Sequence, residues 1–257
     1  MDIFLIIGVI VGILAVVVGM MVKGANILVL LNPAAAIIIF VGTAAAVMNS
    51  FPRKEFLNIP KILGALFTEK ETEDPTVIIK QMVDMAQTAR REGLLSLEQT
   101  SQSLDNQFMK KGLGMVVDGI EQEYVRDALN IEIEITEERH RAGAAIFSTA
   151  GSAAPTLGVL GAVIGLIGAL GNLNDTEKLG NMIAAAFVAT LYGIFLGYVV
   201  CHPFASRLKR KSHDEISKMR IIVEGLLAIQ AGENPTNIEM KLTGMLEPKD
   251  RKHFETT

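Results

Sequence analysis

Thr190 and Tyr192 carry hydroxyls inside Leu179–Ser206, a stretch without Asp, Glu, Lys or Arg. Pro155 lies in a second uncharged stretch, Ala142–Asn174, and Gly158, Gly161, Gly165 and Gly168 follow it at helical spacing. In such surroundings a threonine hydroxyl can bond a carboxylate or a water, or it can bond its own preceding turn. Residue type leaves both open. A proline inside a helix leaves a backbone carbonyl without its donor, which a membrane tolerates mainly within protein or beside water. The glycines make one smooth stripe that lets another helix approach closely and slide past.

Other chemistries find no support. The run GVLGAVIGLIGAL lacks the Lys-Ser/Thr pair of a phosphate-binding loop, and no strand precedes it. His140, His202, His213 and His253 show no metal-ligand spacing, and the lone Cys201 makes no zinc site. No Ser/His/Asp arrangement falls in a plausible pocket, so neither a catalytic residue, a metal nor a cofactor is expected, and the chain does not read as an enzyme. One cysteine closes no intrachain disulfide, which fits a soluble part facing a reducing compartment. A net charge of -4 and a pI near 5.7 argue against nucleic acid as a partner.

Four apolar stretches must hold these groups: Ile3–Val22, Ala34–Phe51, Ala142–Asn174 and Leu179–Ser206. Each is long enough to span a bilayer at about 1.5 Å per residue. The first lacks the cleavage site of a signal peptide and is expected to be a retained helix. None of the four holds an Asp, Glu, Lys or Arg. Ionisable groups at membrane depth usually mark ion or proton paths. If this chain moves ions, the titrating group must therefore come from another chain. Orientation follows from the basic flanks. Arg53 and Lys54 follow span two, Arg139 and Arg141 precede span three, and Arg207, Lys209, Arg210 and Lys211 follow span four. Both termini and the long central segment are therefore predicted to be cytoplasmic.

The expected fold is all-α: a polytopic membrane protein with spans one and two in 1–51 and a helical cytoplasmic loop in 52–141. Spans three and four fill 142–206, and a helical cytoplasmic tail fills 207–257. Asn32-Pro33 reads as a cap followed by proline in the first turn, leaving Ile27–Leu31 as an interfacial segment. Nothing between Glu123 and Gly143 stops a helix, so the loop is predicted to run unbroken into span three. The tail turns at Gly232 and Pro235. In the loop, Arg90, Arg91, Glu92 and Glu98 form a charge run, and Glu132, Glu134, Glu137 and Glu138 form another. Such runs are either merely solvated or a docking surface for an oppositely charged partner.

Together these residues carry a resemblance. ARREGLLSLE at Ala89–Glu98, ERH at Glu138–His140, APTLGVLG at Ala154–Gly161 and ATLYG through CHPF at Ala189–Phe204 resemble the MotA/PomA family, the A subunits of bacterial flagellar stators. The likeness covers nearly the whole chain. It implies a complex in the inner (cytoplasmic) membrane in which five A subunits surround a dimer of a MotB-type B subunit, whose single membrane helix brings the ion-binding aspartate. Ion passage would then drive the loops against the rotor protein FliG.

By position, the resemblance makes Arg90 and Glu98 rotor-facing, with Arg91 a helper and Glu132 a further acidic position. It makes Pro155 and Pro203 coupling prolines and puts Thr190 opposite the partner aspartate. Tyr192 joins them as a candidate ion-path group. Sodium-driven members have threonines where this chain has Ala162 and Ala189, so the transported ion is expected to be the proton. Ser152 stands where some members have an aspartate. The alternatives are a sodium-driven stator, a passive membrane scaffold and an ExbB/TolQ-type energiser, which would have three spans and an exported amino terminus.

Overall fold

The computed structural model describes residues 3–68 and 73–254, and among these the regular structure is helical throughout. In chain order the helices are α1 (Ile3–Val22), α2 (33–50), α3 (Arg53–Phe56), α4 (Ile59–Phe67), α5 (Pro75–Glu92) and α6 (Glu98–Ser103). They continue with α7 (Gln107–Val117), α8 (Gln122–Leu170), α9 (Thr176–Gln230), α10 (Pro235–Thr243) and α11 (Pro248–Arg251). Four of them are long and apolar enough to cross a membrane: α1, the segment ending in α2, α8 and α9.

Local chemistry explains the boundaries. Asn32 caps α2, its side chain accepting the Ala35 N–H at 3.0 Å, and Pro33 opens the helix. The preceding Ile27–Leu30 forms one 3-10 turn capped by Asn26. As predicted, α8 runs unbroken from the charged loop through the third span. The fourth span and the start of the tail likewise form one helix, because no glycine or capping turn interrupts Ser206 to Lys218 and the winding carries on to Gln230. Two π-helical segments interrupt the α geometry, at Ile37–Val41 in α2 and at Phe195–Cys201 in α9. The second ends just before Pro203, so the widened winding falls where proline withholds a backbone donor. The tail turns at Gly232, with φ +70°, and Pro235 opens α10.

The chain forms two compact units, Met1–Lys70 with His140–Arg210 and Glu71–Arg139 with Lys211–Thr257. In the first, the apolar unit, α3 and α4 join the spans although they fall within the range 52–141 expected to form the loop. Leu66, Phe147, Phe204 and Ala205 form one of its clusters, and Val47, Ile146, Ala150 and Cys201 form another. Helix α1 buries none of its residues within the chain. The second, polar unit has a single core built from both the loop and the tail ranges. Ile78, Met82, Leu113 and Leu129 of the loop close on Ile222, Leu226, Leu227 and Leu242 of the tail. Gln122 Nε2 donates to the Leu227 carbonyl at 3.0 Å and Gln230 Nε2 to the Ile120 carbonyl at 2.6 Å, tying the ranges together.

Candidate functional site

In the apolar unit the glycine stripe of α8 is already occupied, by α9 of the same chain. A Cβ on Gly158 would lie 3.1 Å from the Ala189 carbonyl oxygen, and one on Gly161 would lie 2.7 Å from Ala189 Cβ. On Gly165 it would meet Ala186 Cβ at 2.8 Å, and on Gly168 it would meet Met182 Sδ at 3.3 Å. Positions rise along α8 as they fall along α9, so the two helices pack antiparallel with their backbones in close approach. The expectation that this stripe serves a sliding partner helix is corrected. Small residues sit on both helices of the seam, and the nearest matching surface is the next span of the same chain.

The polar groups gather along this seam. Thr190 Oγ1 lies 3.3 Å from the Ala186 carbonyl of its own helix and 3.4 Å from the Gly158 carbonyl of α8. The bond to the preceding turn, one of the two readings left open by the residue type, is thus partly realised, and a second acceptor shares the same hydroxyl proton. Tyr192 donates its hydroxyl to the Leu30 carbonyl, and its ring centroid stands 6.2 Å from that of Phe40. Its phenol is committed to holding the 3-10 turn against α9. Ala189 is 2% exposed and packs with Ala35 and Val188, whereas Ala162 is half-buried. Pro155 lies half-buried within α8, and the exposed Pro203 follows the π-segment.

A second polar surface was not singled out from the sequence. Ser50, Ser148, Thr149, Ser152 and Thr156, with Ala46, Ala153 and Leu157, line a hollow of about 610 Å³ between α2 and α8. The hydroxyls of Ser50, Ser152 and Thr156 each donate to the carbonyl four residues earlier, at 2.8, 3.1 and 3.3 Å. Their donors are used, and their oxygens remain as outward acceptors. The legible signal was the four-residue spacing of Ser148, Ser152 and Thr156 in an uncharged run.

In the polar unit, Arg90 and Arg91 occupy the last turn of α5 and Glu98 opens α6. Gly93 joins them at φ +85°, followed by a 3-10 turn over Leu94–Leu97 whose Leu97 is fully buried. Gly93 is in a backbone region that other residues enter at a cost. The buried Leu97 anchors the turn, so Arg90, Arg91 and Glu98 are held on either side of a fixed connection. The same turn leaves Leu95 75% exposed, an apolar side chain amid these charges. Glu132 lies elsewhere, on α8, and its carboxylate pairs with Lys111 Nζ at 2.6 Å. Nothing in the residue order pointed to Lys111.

Residues 100–221 match the MotA/TolQ/ExbB proton channel family, and residues 6–93 match the Motility protein A N-terminal family. Motility protein A of Bacillus subtilis is 49% identical over 254 residues, which is 99% of this chain and 94% of that protein. This chain belongs to the motility protein A family. Chemotaxis protein PomA of Vibrio alginolyticus is 35% identical over 98% of each chain. Among solved structures, the flagellar MotAB stator complex from Bacillus subtilis contains a chain matched at TM-score 0.91 and 49% identity, covering 97% of this chain and 98% of that one. C. jejuni MotAB matches at the same TM-score with 31% identity, covering 96% and 97%. As a motility protein A family member with the matching four-span, all-helical architecture, the chain is a flagellar stator A subunit.

Proposed function

We propose that this stator subunit is proton-driven and forms a ring, five-membered as the family resemblance implies, around a dimer of a MotB-type partner. In this reading it spans the inner membrane with both termini in the cytoplasm, and the Arg90–Glu98 turn pushes on the rotor protein FliG. The observation that carries it is the set of four spans without a single carboxylate or basic side chain. An ion path through them needs its acid from a guest helix. A charge crossing about 100 mV releases roughly 2.3 kcal/mol, which suits small repeated steps among identical subunits. Four spans, rather than three, favour a stator over an ExbB/TolQ-type energiser.

Proton coupling rests on Ala162 and Ala189, which offer no side-chain oxygen to replace the water shell of a sodium ion. The burial of Ala189 against Gly161 supports this further, since the added atoms of a threonine there would press on the α8 backbone. Swimming speed measured across sodium concentrations at fixed pH tests the choice of ion: no dependence is expected, and strong sodium dependence overturns it. For the rotor contact, Arg90→Glu and Glu98→Lys are expected to leave assembly intact and weaken torque. An exposed charge pair is worth up to about 1 kcal/mol, roughly fivefold in engagement. An opposite change on the rotor should restore part of it; loss of the protein from the membrane would instead assign these residues a structural role.

A further inference from the structure

Pro155 has no N–H to give the carbonyl of Gly151, four residues earlier on α8. That carbonyl does not face open space, because Gly197 of α9 covers it. A Cβ on Gly197 would stand 2.6 Å from the Gly151 oxygen and 2.8 and 2.9 Å from Cγ and Cδ of the Pro155 ring. Gly193, one turn away, is equally tight: a Cβ there would lie 2.5 Å from the Ala154 carbonyl oxygen and 3.0 Å from Gly158 Cα. Gly197 itself falls inside the π-segment Phe195–Cys201. Three local departures therefore coincide: a helix missing a donor, a facing helix wound too wide, and a position where an added Cβ would crowd backbone and proline ring. Each costs stability in isolation. Their coincidence points to one joint rather than three accidents.

We propose that Gly197 is a positioning residue for ion-driven torque, acting through Pro155: its bare Cα seats the π-segment of α9 on the proline ring and seals the Gly151 carbonyl. A displacement of α8 at Pro155 then moves α9 with it, because the contact at this level is backbone and ring with no flexible side chain to absorb the motion. The contrast is Gly112, where the nearest atom is the free end of the Leu226 side chain. The proposal deepens the stator reading and rests on Pro155 being a coupling residue.

The test uses the full complex with its B partner, measuring stall torque and, in a version whose partner lacks its plug, proton leak. Gly197→Ala is expected to assemble, to keep the leak and to lose at least tenfold in torque. Gly161→Ala, equally crowded but placed against Ala189 and away from the proline, is the calibration, and there torque and leak should change together. Normal torque in Gly197→Ala, a parallel fall of torque and leak, or the same split in Gly161→Ala would overturn the proposal. If Gly197→Ala fails to assemble, Pro155→Ala is added to it: recovered assembly supports the joint, and none overturns it. Pro155→Ala alone reports on the parent reading, which fails if torque and leak both stay normal. Absence of leak and torque in the unmodified complex would sink the stator reading itself.

Discussion

Thr190 has one proton and two carbonyls in reach, at 3.3 and 3.4 Å, both near the long end of hydrogen-bond range. Such a hydroxyl is weakly held and can turn to a third acceptor at little cost. Thr190→Ser should therefore retain torque, whereas Thr190→Val, which keeps the shape and removes the hydroxyl, should abolish it with assembly intact; stall torque of the two variants decides. Asp74 shows the opposite case, a side chain held by two short bonds to one carboxylate oxygen. It caps α5, accepting the Thr76 N–H and the Thr76 hydroxyl, each at 2.8 Å, and the backbone bond does most to hold its carboxyl below 3.8. Because the folded chain depresses this value, the charge-dependent stabilisation is present above 3.8 and disappears as pH falls through the lower folded value. Asp74→Ala should cost the polar unit about 1 kcal/mol at neutral pH. Amide exchange along α5 checks this, and the difference from the unsubstituted chain should shrink in acid.

At the scale of elements, the α8–α9 seam sets what each glycine is for. A Cβ on Gly165 would meet Cβ, Cα and N of Ala186 at 2.8, 3.1 and 3.2 Å, so an added side chain meets backbone that cannot step aside. Gly165→Val should lose about 1–3 kcal/mol through overpacking and lower the yield of folded protein in membranes. Gly180, with nothing within 4 Å, should accept alanine without loss. Equal tolerance at both positions would mean that the seam is not packed this closely. The caps were legible in advance: Asn32-Pro33 opens α2, and Gly232 with Pro235 turns the tail, because capping depends on adjacent residues. The π-segments were not legible, since their winding answers to what lies across the seam.

At the scale of the whole molecule, the polar unit depends on chain segments more than a hundred residues apart. Leu226 of the tail is fully buried among loop residues and stands over Gly112. Leu226→Ala should remove about 2–5 kcal/mol, and hydrogen exchange should speed up in α5 and α7 of the loop as well as in the tail. Confinement of the effect to 211–257 would show that the two ranges fold independently. The apolar unit leaves Ile10, Leu14, Val18, Val159, Val163 and Ile167 uncovered. Those surfaces suit lipid and the other chains of the complex.

The residue order by itself determined the properties that near neighbours and solvent dictate: which stretches can cross a bilayer, where caps and turns fall, and that no acid lies within the spans. Only the tertiary structure decided which surface answers which. It gave the glycine stripe to α9, tied Tyr192 to Leu30, paired Glu132 with Lys111 and set Gly197 against the Pro155 ring. Hydropathy and capping are properties of a short window of chain. A contact is a property of two distant windows at once, and many pairings of apolar faces are chemically alike until packing at ångström distances selects one.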